Sequence, residues 1–254
     1  MPREVRRVVS LVPSLTEAVA VTAPDLLVGA TDWCTHPPDL DVVRVRGTKN
    51  PDVERVVALR PDLVLANFEE NRDVDLERLR AAGLAVWVTA VRTLGEAFDS
   101  LARMLAVCGC EEPGWLAGAR AAWVPTAAGV PVRHRAVVPI WRRPWMVLGC
   151  DTFAGDVLAR LGVANVYGDV AERYPKVAVA DMLASGADLV VLPDEPYAFS
   201  AEDGPEAFPG MRVALVSGRH LEWYGPSLVE AFDVLNRQLT AARTVSASND
   251  VGGA

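Results

Sequence analysis

The chain has 254 residues, enough for one large domain or for two lobes that each bury a core of their own. Apolar residues make up 51% and charged residues 23%, a balance typical of globular rather than disordered or fibrous proteins. The 33 acidic and 25 basic residues give a net charge of −8, which argues against a nucleic-acid partner, because phosphate binding needs clustered cationic side chains.

Short apolar runs alternate with helical patterns along the chain, as in βα units around mainly parallel sheets. The first helix is predicted over Leu15–Val21, because Ser14 and Glu17 form a capping-box pattern, and Gly83 is predicted to end a helix over 74–82. Further helices are predicted over 93–107 and 113–124. The predicted strands are Val8–Val12, Leu27–Ala30, Leu63–Ala66, Ala85–Thr89, Ala136–Trp141, Trp145–Leu148, Leu189–Leu192 and Val213–Val216.

The second half of the chain repeats the order of elements in the first half. The loop Asn50–Val53, a helix and the strand Leu63–Leu65 have a counterpart in Tyr174–Val177, a helix and Leu189–Leu192. Because the offsets differ between the pairs, the pattern indicates a diverged duplication rather than an array of short repeats. We therefore predict an α/β fold of two Rossmann-like lobes with mainly parallel sheets, joined by a connecting backbone helix. The predicted bounds are 1–110 for the N-terminal lobe, 111–132 for the connecting helix, 133–245 for the C-terminal lobe and 246–254 for a flexible tail.

The sequence lacks the common catalytic signatures, such as a Gly-x-Ser-x-Gly elbow, a phosphate-binding Gly-rich loop or a His-Glu-x-x-His helix. Its three histidines are too scattered to establish a triad or a metal cluster by spacing. We therefore predict a binding protein that is not an enzyme and requires no cofactor of its own.

Loops that combine aromatic and polar residues follow several predicted strands, where open α/β sheets bind their ligands. Cys34 and His36, after the strand that ends at Ala30, are soft metal ligands by type, although a closed zinc site would need two more. The alternatives for this loop are contact with a bound chelate or a purely structural role. The candidate ligand-binding residues are Trp33, Cys34, His36, Lys49, Asn67, Glu69, Glu70, Trp145, Tyr174, Trp223 and Tyr224.

Three groups of segments, in this order and spacing, resemble the iron-siderophore and cobalamin binding proteins of ABC importers. They are Arg7–Glu17, Val28–Asp32 with Pro37-Pro38, and Asn50–Glu54 with Leu59–Val64. The resemblance covers about 7–240 as one domain and implies two lobes with the ligand in the cleft between them. It also implies that the protein docks on an ABC permease through one acidic residue on each lobe. These are Asp73, with Glu69 or Glu70 nearby, on the first lobe and Glu206 or Glu202 on the second.

The loops Cys34–Pro37 and Glu69–Arg72 look like those of signal-less members described as helical-backbone metal receptors. Met1–Arg7 leads straight into a predicted strand without the hydrophobic core of a signal peptide, so the expected location is the cytoplasm. No apolar run approaches the roughly 20 residues of a membrane helix, so we expect a protein that does not span a membrane.

Three functions follow as hypotheses. The first is a receptor for a corrinoid such as cobalamin, a haem-like ring, a ferric siderophore or another metal chelate. The second is an exported importer subunit whose true start lies upstream, which would place it in the periplasm or at the extracellular face. The third is a metal-handling enzyme or trafficking protein that uses Cys34 and His36.

Overall fold

A computed structural model describes residues 4–126 and 129–246 of the chain, which divide into two compact units. Unit 1 comprises the described residues of 1–91 together with 95–121 and 223–229. Unit 2 comprises 92–94, the described residues of 122–222, and 230–246. Residues 223–229 thus belong to unit 1, although the predicted bounds assign them to the C-terminal lobe. We call these residues the return segment.

Unit 1 contains a five-stranded sheet and a separate two-stranded hairpin. Its strands are β1 (Val8–Ser10), β2 (Leu27–Ala30), β3 (Val43–Arg44), β4 (Arg46–Gly47), β5 (Asn50–Pro51), β6 (Leu63–Asn67) and β7 (Val86–Thr89). The sheet order is β3-β2-β1-β6-β7, all parallel, and β4 pairs with β5 as an antiparallel hairpin. The helices in this half of the chain are α1 (Pro13–Thr22), α2 (Val53–Ala58), α3 (Asp73–Ala81), α4 (Leu94–Val107) and α5 (Gly114–Trp123).

Unit 2 contains a second five-stranded sheet. Its strands are β8 (His134–Val137), β9 (Pro139–Trp141), β10 (Met146–Val147), β11 (Val163–Asn165), β12 (Leu189–Pro193), β13 (Arg212–Val216) and β14 (Arg243–Thr244). The sheet order is β11-β8-β12-β13-β14, parallel except for β14, and β9 pairs with β10 as an antiparallel hairpin. The helices that follow α5 are α6 (Phe153–Arg160), α7 (Val179–Ala184), α8 (Gly218–Glu222) and α9 (Leu228–Thr240).

Four parallel strands have the same order in the two sheets, β2-β1-β6-β7 in the first and β11-β8-β12-β13 in the second, which confirms the prediction of an α/β fold with a duplicated, mainly parallel core. β1 lies between β2 and β6, as β8 lies between β11 and β12. All five residues of β6 and all five of β12 are buried, as expected for parallel strands covered on both faces. Each unit has a hydrophobic core of its own, with Val64 and Leu79 in the first and Val190 and Phe208 in the second.

The start of α1 differs from the predicted capping box. The helix begins at Pro13, and Val12 at the N-cap position provides no side-chain hydrogen bond. Proline suits the first helical position because it has no N–H to satisfy. Ser14 and Glu17 are both buried, and the Thr16 hydroxyl donates to the Val12 carbonyl oxygen at 2.8 Å. The capping-box prediction was therefore wrong, although the helix itself was correctly predicted.

Two other local predictions agree with the structure. α3 ends at Ala81, and Gly83 follows with a φ of +82°, the left-handed conformation that glycine adopts readily. α5 matches the helix predicted over 113–124, whereas residues 127 and 128 of the predicted connecting segment lie outside the described residues. The predicted tail, from residue 247 onward, also lies outside the described residues. Nowhere in the described parts of the chain is a helix both long and apolar enough to cross a membrane.

Candidate functional site

Most of the predicted ligand residues belong to unit 1, where they follow the carboxyl ends of its parallel strands. Trp33 and His36 follow β2, and Glu69 and Glu70 follow β6. Lys49 lies in the turn of the β4–β5 hairpin. We call the group Trp33, His36, Lys49, Phe68, Glu69 and Glu70 the ligand face.

Trp33 is the most exposed aromatic side chain of the ligand face, at 66%. Its indole lies against the hairpin turn, since a Cβ placed on Gly47 would be 3.2 Å from the indole nitrogen. The same Cβ would lie 2.5 Å from Asn50 Oδ1, so only glycine fits between the ring and the turn without displacement. Trp33 therefore offers an exposed, flat apolar surface whose nitrogen-bearing edge lies beside the hairpin.

The loop after β6 is organised by two asparagine side chains. Asn67 Oδ1 accepts the backbone N–H groups of Glu69 at 2.7 Å and Glu70 at 3.0 Å. Asn71 Oδ1 accepts the N–H of Asn67 at 2.9 Å, and Asn71 Nδ2 donates to the carbonyl oxygen of Thr48 at 2.9 Å. The loop is thus fixed as a turn and tied to the hairpin that carries Lys49.

Charged groups of both signs lie on this turn. The Lys49 ammonium donates to the carbonyl oxygen of Glu69. Glu70 is exposed as a residue, yet loss of hydration at its carboxyl group raises its pKa, and the nearby Glu69 carboxylate adds to the rise. Lys49 and the Thr48 hydroxyl oppose that shift. Glu70 consequently carries less negative charge in mildly acidic solution than an ordinary glutamate.

Beneath the turn lies Tyr224 of the return segment, which is 6% exposed. Its hydroxyl oxygen accepts from Asn67 Nδ2 at 2.6 Å and lies 2.8 Å from Thr89 Oγ1. Burial raises the pKa of Tyr224 to about 12, against the effect of both hydrogen bonds, so the phenol stays protonated at neutral pH. Tyr224 is therefore part of the support of the ligand face and is not displayed on its surface.

Trp223 is also buried, at 7% exposure, behind His36. The two rings meet edge to face, with centroids 5.4 Å apart and an interplanar angle of 89°. His36 is partly exposed, and its Nδ1 lies 3.2 Å from the Thr35 hydroxyl. His36 thus presents one part of its ring to solvent while Trp223 fixes its orientation.

Cys34 is completely buried, and its sulfur contacts hydroxyl groups rather than other metal ligands. The sulfur lies 3.0 Å from Thr16 Oγ1 and 3.1 Å from Thr31 Oγ1. Burial raises the pKa of the thiol, which disfavours the thiolate that binds metals. Residues 4–126 and 129–246 contain no group of three or more His, Cys, Asp or Glu able to hold a metal ion. The metal role of Cys34 and His36 stays a prediction, and these contacts are those of a packed thiol.

Trp145 and Tyr174, the remaining predicted ligand contacts, belong to unit 2. Trp145 stacks on Phe199 with centroids 5.8 Å apart and packs edge-on against Phe208, and the Arg142 guanidinium lies 5.2 Å from its ring centroid. Both Trp145 and Tyr174 are partly exposed. A ligand contact by either residue, and a ligand site between the lobes, stay predictions.

The two predicted docking residues differ in their surroundings. Asp73 is exposed in the first turn of α3. The Glu206 carboxylate accepts from Arg142 at 2.6 Å and from the N–H of Gly204 at 2.6 Å. Docking through Glu206 would have to compete with these contacts, whereas Asp73 is presented to solvent.

Three residues of this site are absent from the set chosen by sequence. Phe68 is 50% exposed on the ligand face, and Asn71 and Thr89 are buried in its support. Phe68 could have been found, because a large apolar residue directly after a buried strand is unusual in a solvated loop. The roles of Asn71 and Thr89 depend on contacts with residues distant in sequence, which a single sequence does not reveal.

Comparisons with known proteins identify the family of this chain. The model of the family described as "Periplasmic binding protein" matches residues 8–195. The vitamin B12-binding protein of Vibrio cholerae is 25% identical over 197 residues, covering 74% of this chain and 71% of the relative. That of Pectobacterium carotovorum is 24% identical over 260 residues, covering 96% and 91%.

Solved structures show the same fold. The periplasmic haem-binding protein RhuT of Roseiflexus superposes with a TM-score of 0.76 at 19% identity, over 92% of this chain and 98% of that one. The periplasmic vitamin B12-binding protein of Vibrio cholerae gives a TM-score of 0.73 at 19% identity, over 93% and 97%.

Proposed function

This chain belongs to the periplasmic binding protein family, and from that premise we propose that its ligand face binds a corrinoid or a similar large metal chelate. The observation that carries the proposal is the pair of exposed aromatic side chains, Trp33 and Phe68, beside the charged turn of Lys49, Glu69 and Glu70. Flat rings gain roughly 25 cal/mol for each Å² of apolar surface they cover, so stacking on such side chains supplies binding energy. The charged side chains of the turn orient the bound ligand.

Among the chelates, a corrinoid is the first candidate. The curated relatives are named for vitamin B12 and span most of this chain. The amide groups around a corrin ring offer hydrogen-bond partners to both the Glu69 carboxylate and the Lys49 ammonium. Haem carries two propionate anions, which would meet the negative charges of Glu69 and Glu70 unfavourably. The solved haem-binding neighbours share the fold, and haem is therefore the second ligand to test.

The proposed role is capture and delivery of the ligand and not its chemical conversion. The family is described as periplasmic, so the prediction of a cytoplasmic location is not supported, and we propose the exported alternative. An ABC permease is then the proposed partner. Asp73, exposed on α3, is the acidic residue best placed to meet a permease arginine.

Titration of the purified protein with cyanocobalamin and aquocobalamin tests the proposal, read from the corrin absorption bands and tryptophan fluorescence. We expect saturable binding that Trp33→Ala or Phe68→Ala weakens by about tenfold or more, because central aromatic contacts dominate such interfaces. The matched control is Val107→Ala, which trims an apolar side chain that is 44% exposed at the end of α4.

If haem or a ferric siderophore bound saturably and no corrinoid did, the ligand would belong to that other class of chelate. Failure of all three classes to bind, or equal affinity of the wild-type and Trp33→Ala proteins, would contradict the proposed site.

A further inference from the structure

Three consecutive residues of the return segment contact three different parts of unit 1. Trp223 packs against His36, and Tyr224 bonds to the ends of β6 and β7. A Cβ on Gly225 would lie 3.0 Å from the Ser14 carbonyl oxygen, so the segment also approaches the backbone of α1 closely. These three contacts therefore fix the position of the return segment against the rest of unit 1.

The hydrogen bonds around the Tyr224 hydroxyl form one directed chain. Asn67 Nδ2 donates to the phenol oxygen at 2.6 Å, so the phenol proton is available for Thr89 Oγ1 at 2.8 Å. The Thr89 hydroxyl in turn donates to the carbonyl oxygen of Ala66 at 3.2 Å. Each hydroxyl in the chain therefore both donates and accepts, as buried polar groups require.

This chain of bonds fixes which way the Asn67 carboxamide faces. Its nitrogen points to Tyr224, so its oxygen points to the N–H groups of Glu69 and Glu70. The reversed orientation would set the amide N–H₂ group against those two N–H donors. The position of the turn on the ligand face is therefore linked to the buried phenol of Tyr224.

We propose that Tyr224 is a positioning residue for the ligand face, acting through Asn67 to hold the turn that presents Glu69 and Glu70. The expected effect of Tyr224 on binding rests on the proposed function, whereas its effect on the turn is independent of any ligand. Tyr224→Phe keeps the ring and removes only the phenol oxygen. Asn67 Nδ2 then keeps only its longer, 3.3 Å hydrogen bond to Thr89 Oγ1, so the carboxamide is held less firmly.

Amide hydrogen exchange by NMR, without ligand, tests the effect on the turn. In Tyr224→Phe we expect the N–H groups of Glu69 and Glu70 to exchange about tenfold faster or more, because both donate to the Asn67 side chain. The amides of β1 should keep their protection. Tyr167→Phe is the control, since Tyr167 packs against the core of unit 2. Unchanged exchange at Glu69 and Glu70 in Tyr224→Phe would overturn the proposal.

Binding of cyanocobalamin tests the consequence for the ligand face. We expect Tyr224→Phe to weaken binding by about tenfold and Tyr167→Phe to leave it unchanged. If the tyrosine acts through the turn, Tyr224→Phe should weaken binding less in a Glu69→Gln/Glu70→Gln background than in the wild type. A general loss of stability does not produce such coupling. Equal affinity of wild type and Tyr224→Phe, or additive effects, would overturn the positioning role. If wild type binds no cyanocobalamin, the proposed function fails with that probe, and hydrogen exchange alone decides the role of Tyr224.

Discussion

At the scale of single residues, the surroundings of Cys34 decide between a packed thiol and a reactive one. Burial raises its pKa, against the opposing effects of the Thr16 and Thr31 hydrogen bonds and of the Arg44 charge, so little thiolate forms at neutral pH. We expect iodoacetamide at about pH 8 to leave Cys34 unmodified in the folded protein and to modify it after denaturation, as measured by peptide mass spectrometry. Cys150, which is partly exposed, is the internal control.

The same experiment tests the hypothesis of a metal-handling role. A thiol that binds or transfers a metal must be reachable and easily deprotonated. Alkylation of Cys34 in native buffer as fast as that of Cys150 would show that its burial is incomplete in solution and would support that hypothesis. Cys108, whose pKa burial raises to about 11, should be similarly slow.

At the scale of elements, the docking of the return segment on α1 requires a residue without a side chain. In Gly225→Ala, the new methyl group would meet the Ser14 carbonyl oxygen at 3.0 Å. We expect a loss of about 1–2 kcal/mol in stability and weaker corrinoid binding, because Trp223 and Tyr224 move with the segment. Chemical denaturation followed by tryptophan fluorescence measures the first effect.

Gly118→Ala is the matched control for that substitution. Gly118 lies inside α5, and its Cβ would meet no atom within 4 Å. Alanine there should stabilise the helix by up to about 1 kcal/mol through its higher helix propensity. The close-approach explanation would be wrong if both variants shifted stability in the same direction.

Elements also show how far the sequence could predict the fold. β6 and β12 were predictable because each has four apolar residues in a row, bounded by loops, which leaves few alternatives. The two-residue strands β3, β4, β5 and β14 were not predicted, because so short a run has no periodicity. The capping box failed because Pro13 provides a start that needs no cap.

The candidate site, like the fold, could be predicted only in part. The carboxyl ends of parallel strands meet at one edge of a sheet, which is why the loops after β2 and β6 could be identified. The link between Asn67 and Tyr224 joins positions 157 residues apart and arises only from tertiary packing. Sequence patterns identified both residues as candidates but gave no sign that one supports the other.

At the scale of the whole molecule, net charge selects among ligands that fit equally well. The net charge of −8 attracts cations and repels anions over about a Debye length, and the Glu69 and Glu70 carboxylates add to this field at the ligand face. Aquocobalamin is a cation in neutral solution, cyanocobalamin is uncharged, and haem carries two carboxylates. The three ligands should therefore respond differently to salt.

We expect the association rate of aquocobalamin, measured by stopped-flow absorbance, to fall as salt rises from about 10 mM to about 1 M, because screening shortens the Debye length from about 30 Å to about 3 Å. Cyanocobalamin should change little over the same range. Glu69→Gln should reduce the salt dependence more than Glu111→Gln, which removes an exposed charge beyond the C-terminal end of α4. Equal reductions would mean that the distributed charge of the molecule steers the ligand, and a rate that rises with salt would contradict an acidic ligand face.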